Sequence, residues 1–163
     1  MKLSQLTGRS PQLPQTLSLD NGQSVQLQQW LRVLPEQRYV GRAQWQGRDV
    51  LVKLLVGHKA ARQYQRELTG AQLLAEQKIH TPDLLDAQQQ SDGSAYLIFD
   101  FIDKAQSLAD AWQVCSAAAP LTAQQSQVLS QALQTVAHMH SRGLWQSDLH
   151  LDNLLQQDEN LYV

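Results

Sequence analysis

Residues 139–155, MHSRGLWQSDLHLDNLL, decide the fold of this chain. Their pattern predicts the end of an amphipathic helix, a stop at Gly143, a turn-rich loop and the start of an apolar strand. In the loop, Asp148 and Asn153 stand five residues apart. Phosphoryl transfer needs a carboxylate that accepts a hydroxyl proton and a carbonyl oxygen that holds Mg²⁺, and one rigid loop with this spacing can present both. Asp148 is therefore the candidate base and Asn153 the candidate metal ligand.

The run HSRGLWQSDLHLDNLL resembles a segment of the protein-kinase-like phosphotransferases that reads roughly LHSxGIxHxDLxxxNIL. In that family the Asp is the catalytic base and the Asn binds metal. The sequence departs from the pattern at Gln146 and Ser147, where His and Arg are usual, and at His150, where protein kinases have Lys and many small-molecule kinases have His. Over its whole length, the chain is most similar to the bacterial lipopolysaccharide-kinase-type group, which modifies core sugars such as heptose or Kdo.

The resemblance implies an α+β, protein-kinase-like fold. Its parts would be an N-terminal arm at 1–15, an antiparallel β-rich N-lobe with one helix at 16–102, and a truncated helical C-lobe at 103–163. The arm is expected to lie on the surface, with Pro11 and Pro14 limiting regular structure.

Sequence periodicity predicts the elements independently of the resemblance. A period close to two over 25–56, broken at 35–37 and 46–47, predicts three antiparallel strands, preceded by a hairpin turn at 20–22. Further elements are expected in the following order: a helix at 58–77, short strands near 79–87 and 95–102, a helix capped by Ser107, and a helix from Thr122 to Arg142 with the apolar stripe Leu129, Ala132, Leu133, Val136 and Met139.

Lys53 lies inside the apolar strand VLVKLLV, and Glu67 interrupts the apolar stripe of the next helix. Each charge is costly to desolvate alone, but the two can offset this cost by pairing. The alternatives are a Lys that snorkels from an edge strand and a Glu in solvent. The resemblance implies that Lys53 contacts the phosphates of ATP and that Glu67 fixes its position.

The glycine-rich loop of protein kinases has no counterpart here. The corresponding turn, LPEQRYVGRA, contains only Gly41, so Arg38 or Arg42 could supply charge to the phosphates instead. Gly70, in the helix of Glu67, is expected to mark a close packing contact. The resemblance also places an adenine-binding hinge at 100–103, although a plain core strand explains that pattern equally well.

The remaining candidates favour structural roles. His138 and His140 stand two apart on a helix and so point about 200 degrees apart, which prevents them from sharing one metal ion. We expect His140 to pack at the helix end, His150 to hydrogen-bond within the loop and Asp152 to be solvated, although His150 or Asp152 could touch substrate. Cys115 is a single cysteine with no basic neighbours, which is typical of a neutral thiol.

Composition limits the function and the location. A net charge of −2 argues against a general nucleic-acid binder. We predict a cytoplasmic protein, because the sequence contains neither an export signal nor an apolar run of membrane-spanning length. Peripheral contact with the inner membrane remains open.

The resemblance implies a kinase that uses ATP and Mg²⁺ to phosphorylate a hydroxyl on a lipopolysaccharide core sugar. The alternatives are a protein serine/threonine kinase and a non-catalytic nucleotide-sensing or scaffolding module. Kinase-like enzymes continue beyond the last strand into a second, metal-binding Asp and further helices, and this chain stops at Val163. We therefore expect an incomplete, and so weakly active or inactive, piece of a longer kinase-like chain, or a degenerate descendant.

Overall fold

The computed structural model describes residues 1–113, 121–146, 149–158 and 160–163. The chain divides into two compact units. The first contains Met1–Gln72 and Asp83–Phe101, and the second contains Leu73–Pro82 and Ile102–Val163.

The first unit is built on one six-stranded sheet. Its strands, in chain order, are β1 (Gln15–Ser18), β2 (Ser24–Leu34), β3 (Arg38–Trp45), β4 (Arg48–Leu55), β5 (Leu84–Gln89) and β6 (Ala95–Asp100). They lie in the order β1-β2-β3-β4-β6-β5, and every neighbouring pair is antiparallel. The three strands and the hairpin turn expected between residues 17 and 56 are thereby confirmed.

The two faces of this sheet pack against different parts of the unit. Val50, Val52 and Leu54 of β4 join the larger apolar core of the unit. Leu51 and Leu55 face the opposite side and pack with helix α1 (Ala60–Glu76). Lys53 lies between these two leucines, two residues from each, so its side chain is on the same, helix-covered face.

The first residues of the chain correct the expectation of a surface arm. Leu3 and Leu6 are 1% and 2% exposed and belong to the larger core of the first unit. A short 3₁₀ turn, Leu3–Gln5, accompanies them. Two leucines three residues apart are too short a pattern to define a buried face, so their burial depends on the sheet face they cover and could not be predicted locally.

The second unit combines helices α2 (Leu108–Gln113) and α3 (Ala123–Ser141) with a small sheet. The sheet contains β7 (Gln106–Ser107), β8 (Leu155–Gln157) and β9 (Asn160–Tyr162), in that order. Leu108, Val128 and Leu154 are in its apolar core. Cys115 and the expected end of the α2 helix at 117–120 lie outside the described residues.

The expected ends of α3 are confirmed. The Thr122 side chain accepts a hydrogen bond from the Gln125 backbone N–H, and the Gln125 side chain accepts one from the Thr122 N–H. At the other end, Gly143 has a φ of 72°, and the N–H of Leu144 donates to the Met139 carbonyl at 3.0 Å. This left-handed residue ends the helix and begins the loop that carries Asn153.

The expected apolar stripe of α3 was wrong in part. Val128, Ala132 and Met139 are buried, whereas Leu133 is 68% exposed. Leu133 follows Ala132 by one residue, which turns its side chain about 100 degrees around the helix and away from this core.

Gly70 also corrects an expectation. A Cβ atom built on it would meet nothing within 4 Å, so no close packing contact explains this glycine. Gly41, by contrast, lies in crowded surroundings within β3. A Cβ there would lie 2.7 Å from the carbonyl oxygen of Gln29.

Candidate active site

Lys53 is held in the interior of the first unit's sheet. Strand β4 pairs with β3 on one side and β6 on the other, and Lys53 stands between Val40 and Leu97. An edge-strand location is therefore excluded. The ammonium lies 5.0 Å from the ring centre of Phe99, and the Lys53 side chain is 29% exposed. A strand paired on both sides fixes the backbone from which this cation projects.

Glu67 of α1 meets Lys53 in an ion pair. The Lys53 Nζ donates to Glu67 Oε2 at 2.8 Å, which is a normal length for a charge-assisted hydrogen bond. The Glu67 side chain is only 16% exposed, so it is not a solvated helix charge. The structure thus brings together the two candidate residues of the N-terminal half.

Arg38 is a second cation on the same carboxylate. Its Nη1 lies 3.4 Å from Glu67 Oε1, and its side chain is 22% exposed. Arg38 opens β3 and pairs with Leu55, two residues from Lys53. Positions two apart on neighbouring strands share a face, so the strand register would have indicated this contact. Sequence reasoning named Arg38 only as one of two open candidates for phosphate binding.

The two cations change the acidity of Glu67. Burial by itself raises the pKa of this carboxyl. Attraction to Lys53 and the hydrogen bond from it, together with attraction to Arg38 and Arg66, outweigh burial and bring the pKa of Glu67 below its ordinary value. The carboxylate is therefore charged at neutral pH.

The turn between β2 and β3 is the one that the resemblance matched to the glycine-rich loop of protein kinases. Two hydrogen bonds hold it, one with the backbone of Val56 and one with the side chain of Tyr39. The N–H of Val56 donates to the Gln37 carbonyl at 2.9 Å, and the N–H of Glu36 donates to the Tyr39 hydroxyl at 3.2 Å. A Cβ on Gly57 would meet the Glu36 carbonyl oxygen at 2.5 Å, so Gly57 permits this close approach. The turn itself, residues 35–37, contains no glycine, and Gly41 lies within β3.

Arg42, the other candidate for binding the phosphates, contacts Asp49 and Phe101. Its Nη2 is 2.6 Å from Asp49 Oδ2, and its guanidinium lies 4.6 Å from the ring centre of Phe101. Phe101 is the last residue of the first unit, so the unit boundary falls within the expected hinge at 100–103. At the start of that segment, Asp100 forms an exposed ion pair with Arg48 at 2.8 Å.

The second unit contains the loop that carries Asn153. Leu151–Asn153 form a 3₁₀ turn, and the Asn153 N–H donates to the His150 carbonyl at 3.0 Å. The Asn153 Nδ2 lies 3.2 Å from His150 Nε2, and His150 Nδ1 lies 3.1 Å from Asp152 Oδ2. The hydrogen-bonding role expected of His150 is confirmed, and Asp152 is solvated, with a side chain that is 69% exposed. Ser147 and Asp148 lie outside the described residues.

Neighbouring elements fix the end of this loop. The N–H of Leu108 donates to the Leu154 carbonyl at 2.9 Å, which ties the loop to the start of α2. Before the loop, the rings of His140 and Trp145 stack at 4.3 Å, which agrees with the packing role expected of His140. Across the ranges that the structure describes, no three His, Cys, Asp or Glu side chains are arranged to hold a metal ion.

Comparison with solved structures places the fold in the protein-kinase-like class. Among 470 matching chains is one titled "Structure of vaccinia related kinase 3". Its TM-score is 0.63 at 15% sequence identity, and the match covers 99% of this chain and 53% of that one. The chain thus spans about half the length of the kinase it matches. The predicted α+β, kinase-like architecture is confirmed.

The family can be stated more closely. Residues 27–161 match the model of the lipopolysaccharide kinase (Kdo/WaaP) family, and the chain belongs to that family. A search of curated proteins found no match. The family assignment and the fold agree with the resemblance carried by residues 139–155.

Proposed function

We propose that this chain functions as an ATP-dependent phosphotransferase that acts on a hydroxyl group of a lipopolysaccharide core sugar. The ion pair between Lys53 and Glu67 carries the proposal. A half-buried lysine on a doubly paired strand, held at 2.8 Å by a helix carboxylate, leaves part of its ammonium for an anion. The membership of the family supports the nature of the acceptor.

Each candidate residue has one role in this proposal. Lys53 binds the phosphates of ATP, and Glu67 orients Lys53. Asp148 accepts the proton of the acceptor hydroxyl, whose oxygen forms the new bond to the γ-phosphorus while the bond to the β,γ-bridging oxygen breaks. ADP is the leaving group, and the acceptor becomes a phosphate monoester.

Mg²⁺ suits the chemistry of Asn153. The side-chain amide offers a carbonyl oxygen, and in protein kinases such a catalytic-loop Asn holds Mg²⁺ together with a carboxylate, substrate phosphates and water. When bound, the ion would neutralise charge on the phosphates.

We place the reaction in the cytoplasm, where ATP is available, with the sugar acceptor presented at the inner membrane. In the part of the chain that the structure covers, no helix combines the length and apolarity that a bilayer crossing requires. We propose peripheral contact with the inner membrane.

The direct test measures transfer of labelled γ-phosphate from ATP to purified core oligosaccharide, with a generic protein as the competing acceptor. We expect label on the sugar, and a loss of about 10²-fold or more in Asp148→Asn, because removal of a general base has a cost of this size. Asp83→Asn, which changes an exposed carboxylate, should retain the rate. Transfer to protein alone would contradict the sugar acceptor. Absence of both transfer and ATP binding would favour the non-catalytic module.

A further inference from the structure

The second cation on Glu67 has no role in the proposed function so far. Arg38 begins β3 directly after the turn at 35–37. The resemblance matches this turn to the glycine-rich loop with which protein kinases cover the phosphates. Here the turn has a left-handed Glu36, with a φ of 59°, and is pinned to Val56 and Tyr39. A turn fastened in this way cannot fold down over a phosphate chain without breaking those hydrogen bonds.

The contacts of Arg38 satisfy few of the hydrogen-bond donors of its guanidinium. Its contact with Glu67 is 3.4 Å, against 2.8 Å for Lys53, and charge-assisted hydrogen bonds are usually about 2.7–2.9 Å. The Arg38 Nε is buried, and among the described residues it has no hydrogen-bond partner. A guanidinium has five N–H donors, so one long contact satisfies little of it.

The charges around Glu67 also favour an anionic ligand at Arg38. Lys53 and Arg38 together bring two positive charges to one carboxylate, and Arg66 adds its attraction to Glu67. The cluster therefore keeps an excess of positive charge on a partly desolvated face. Such an excess favours an anionic ligand, and a guanidinium matches phosphate oxygens in pairs.

We propose that Arg38 is a phosphate-binding residue, which replaces the glycine-rich backbone by moving from Glu67 to the polyphosphate of the bound nucleotide. This inference rests on the proposed function. Lys53 keeps the shorter contact with Glu67 and stays as the fixed cation. Arg38, with the longer contact, is the cation that changes partners.

The test compares the dissociation constants of MgATP and AMP, measured by calorimetry on the purified protein. We expect Arg38→Gln to weaken MgATP by about tenfold and to leave AMP within about twofold, because a hydrogen bond to a charged group has this worth and AMP lacks the outer phosphates. Arg38→Lys should recover part of the loss. Arg32→Gln, which removes the same charge at an exposed position of β2, should bind MgATP as the wild type does.

A second comparison separates phosphate binding from a purely structural role. If Arg38 only positioned Glu67, then Arg38→Gln would have no effect in a Glu67→Gln background. We expect the double variant to bind MgATP about tenfold more weakly than Glu67→Gln alone. Equal affinity of these two proteins would overturn the inference. Unfolding midpoints without nucleotide show whether each variant is folded.

The outcomes also distinguish the two proposals. A wild-type protein that fails to bind MgATP would contradict the proposed function itself. A wild type that binds, together with an Arg38→Gln variant that binds equally well or loses MgATP and AMP to the same extent, would overturn only the role of Arg38.

Discussion

A single carboxylate holds the charged cluster of the first unit together. Glu67 receives Lys53 on one oxygen and Arg38 on the other, at 2.8 and 3.4 Å. Without it, two cations would share a partly desolvated face with no anion between them, which is the costly arrangement for buried charge. The sequence predicted the Lys53–Glu67 pair, because both residues interrupt apolar patterns. Arg38 lies at a turn with no such pattern, so only the register of β3 against β4 reveals its partner.

Replacement of Glu67 by Gln should destabilise the protein at neutral pH. We expect a loss of about 1–3 kcal/mol in the free energy of unfolding, less than for a fully buried pair because all three side chains retain some exposure. Urea denaturation at pH 7 measures this loss. Glu76→Gln, at the exposed end of α1, is the matched control and should change stability by less than about 0.5 kcal/mol.

The difference in unfolding free energy between the wild type and Glu67→Gln should depend on pH. The pKa of Glu67 is lower in the folded state than its ordinary value of 4.5. Its stabilising effect is therefore fully present above that value and is lost as the pH falls through the lower, folded pKa. The stability difference between wild type and Glu67→Gln should be constant from about pH 7 to 5 and shrink below about pH 4. A difference that grew on acidification would contradict the ion pair.

At the scale of elements, helix ends were easier to predict than helix faces. Thr122, Gln125 and Gly143 carry their signals in their own chemistry, and all three act as expected at the ends of α3. The buried face depends on what the helix packs against. Val128 and Leu133 are both apolar, and only the position of the core shows that the first is inside and the second outside.

Two alanine substitutions on α3 should distinguish its buried face from its exposed face. We expect Val128→Ala to cost about 1–3 kcal/mol of unfolding free energy, because it removes buried methyl groups. Leu133→Ala removes more carbon atoms but should change stability by less than about 0.5 kcal/mol, since the side chain is exposed. Chemical denaturation of the two variants measures both values. A larger loss for Leu133→Ala would show that the apolar stripe is the one expected from the sequence.

Gly41 and Gly70 of the first unit should respond oppositely to alanine. Gly70→Ala should stabilise the protein by about 0.5–1 kcal/mol, because the new methyl group meets open space and alanine favours the helix. Gly41→Ala should destabilise it by about 1–3 kcal/mol, because the methyl group would lie 2.7 Å from the Gln29 carbonyl oxygen. Thermal unfolding of both variants tests the pair, and a destabilised Gly70→Ala would contradict the open surroundings.

At the scale of the whole molecule, the sequence predicted the fold class because local pattern and family resemblance agree. The alternation over 25–56 gives the strands, and residues 139–155 give the loop. The burial of Leu3 and Leu6 could not be predicted, because it depends on a sheet face assembled from residues far along the chain. Asp148 remains a candidate through its sequence pattern.

The affinity of MgATP for Lys53→Ala compared with Lys59→Ala tests the central claim most directly. Lys59 is exposed just before α1, so its loss removes the same charge without touching the Glu67 cluster. Calorimetry on the purified proteins should show that Lys53→Ala binds MgATP at least about tenfold more weakly than wild type, while Lys59→Ala stays within about twofold. Equal affinities of the two variants would contradict the assignment of Lys53 to the nucleotide phosphates.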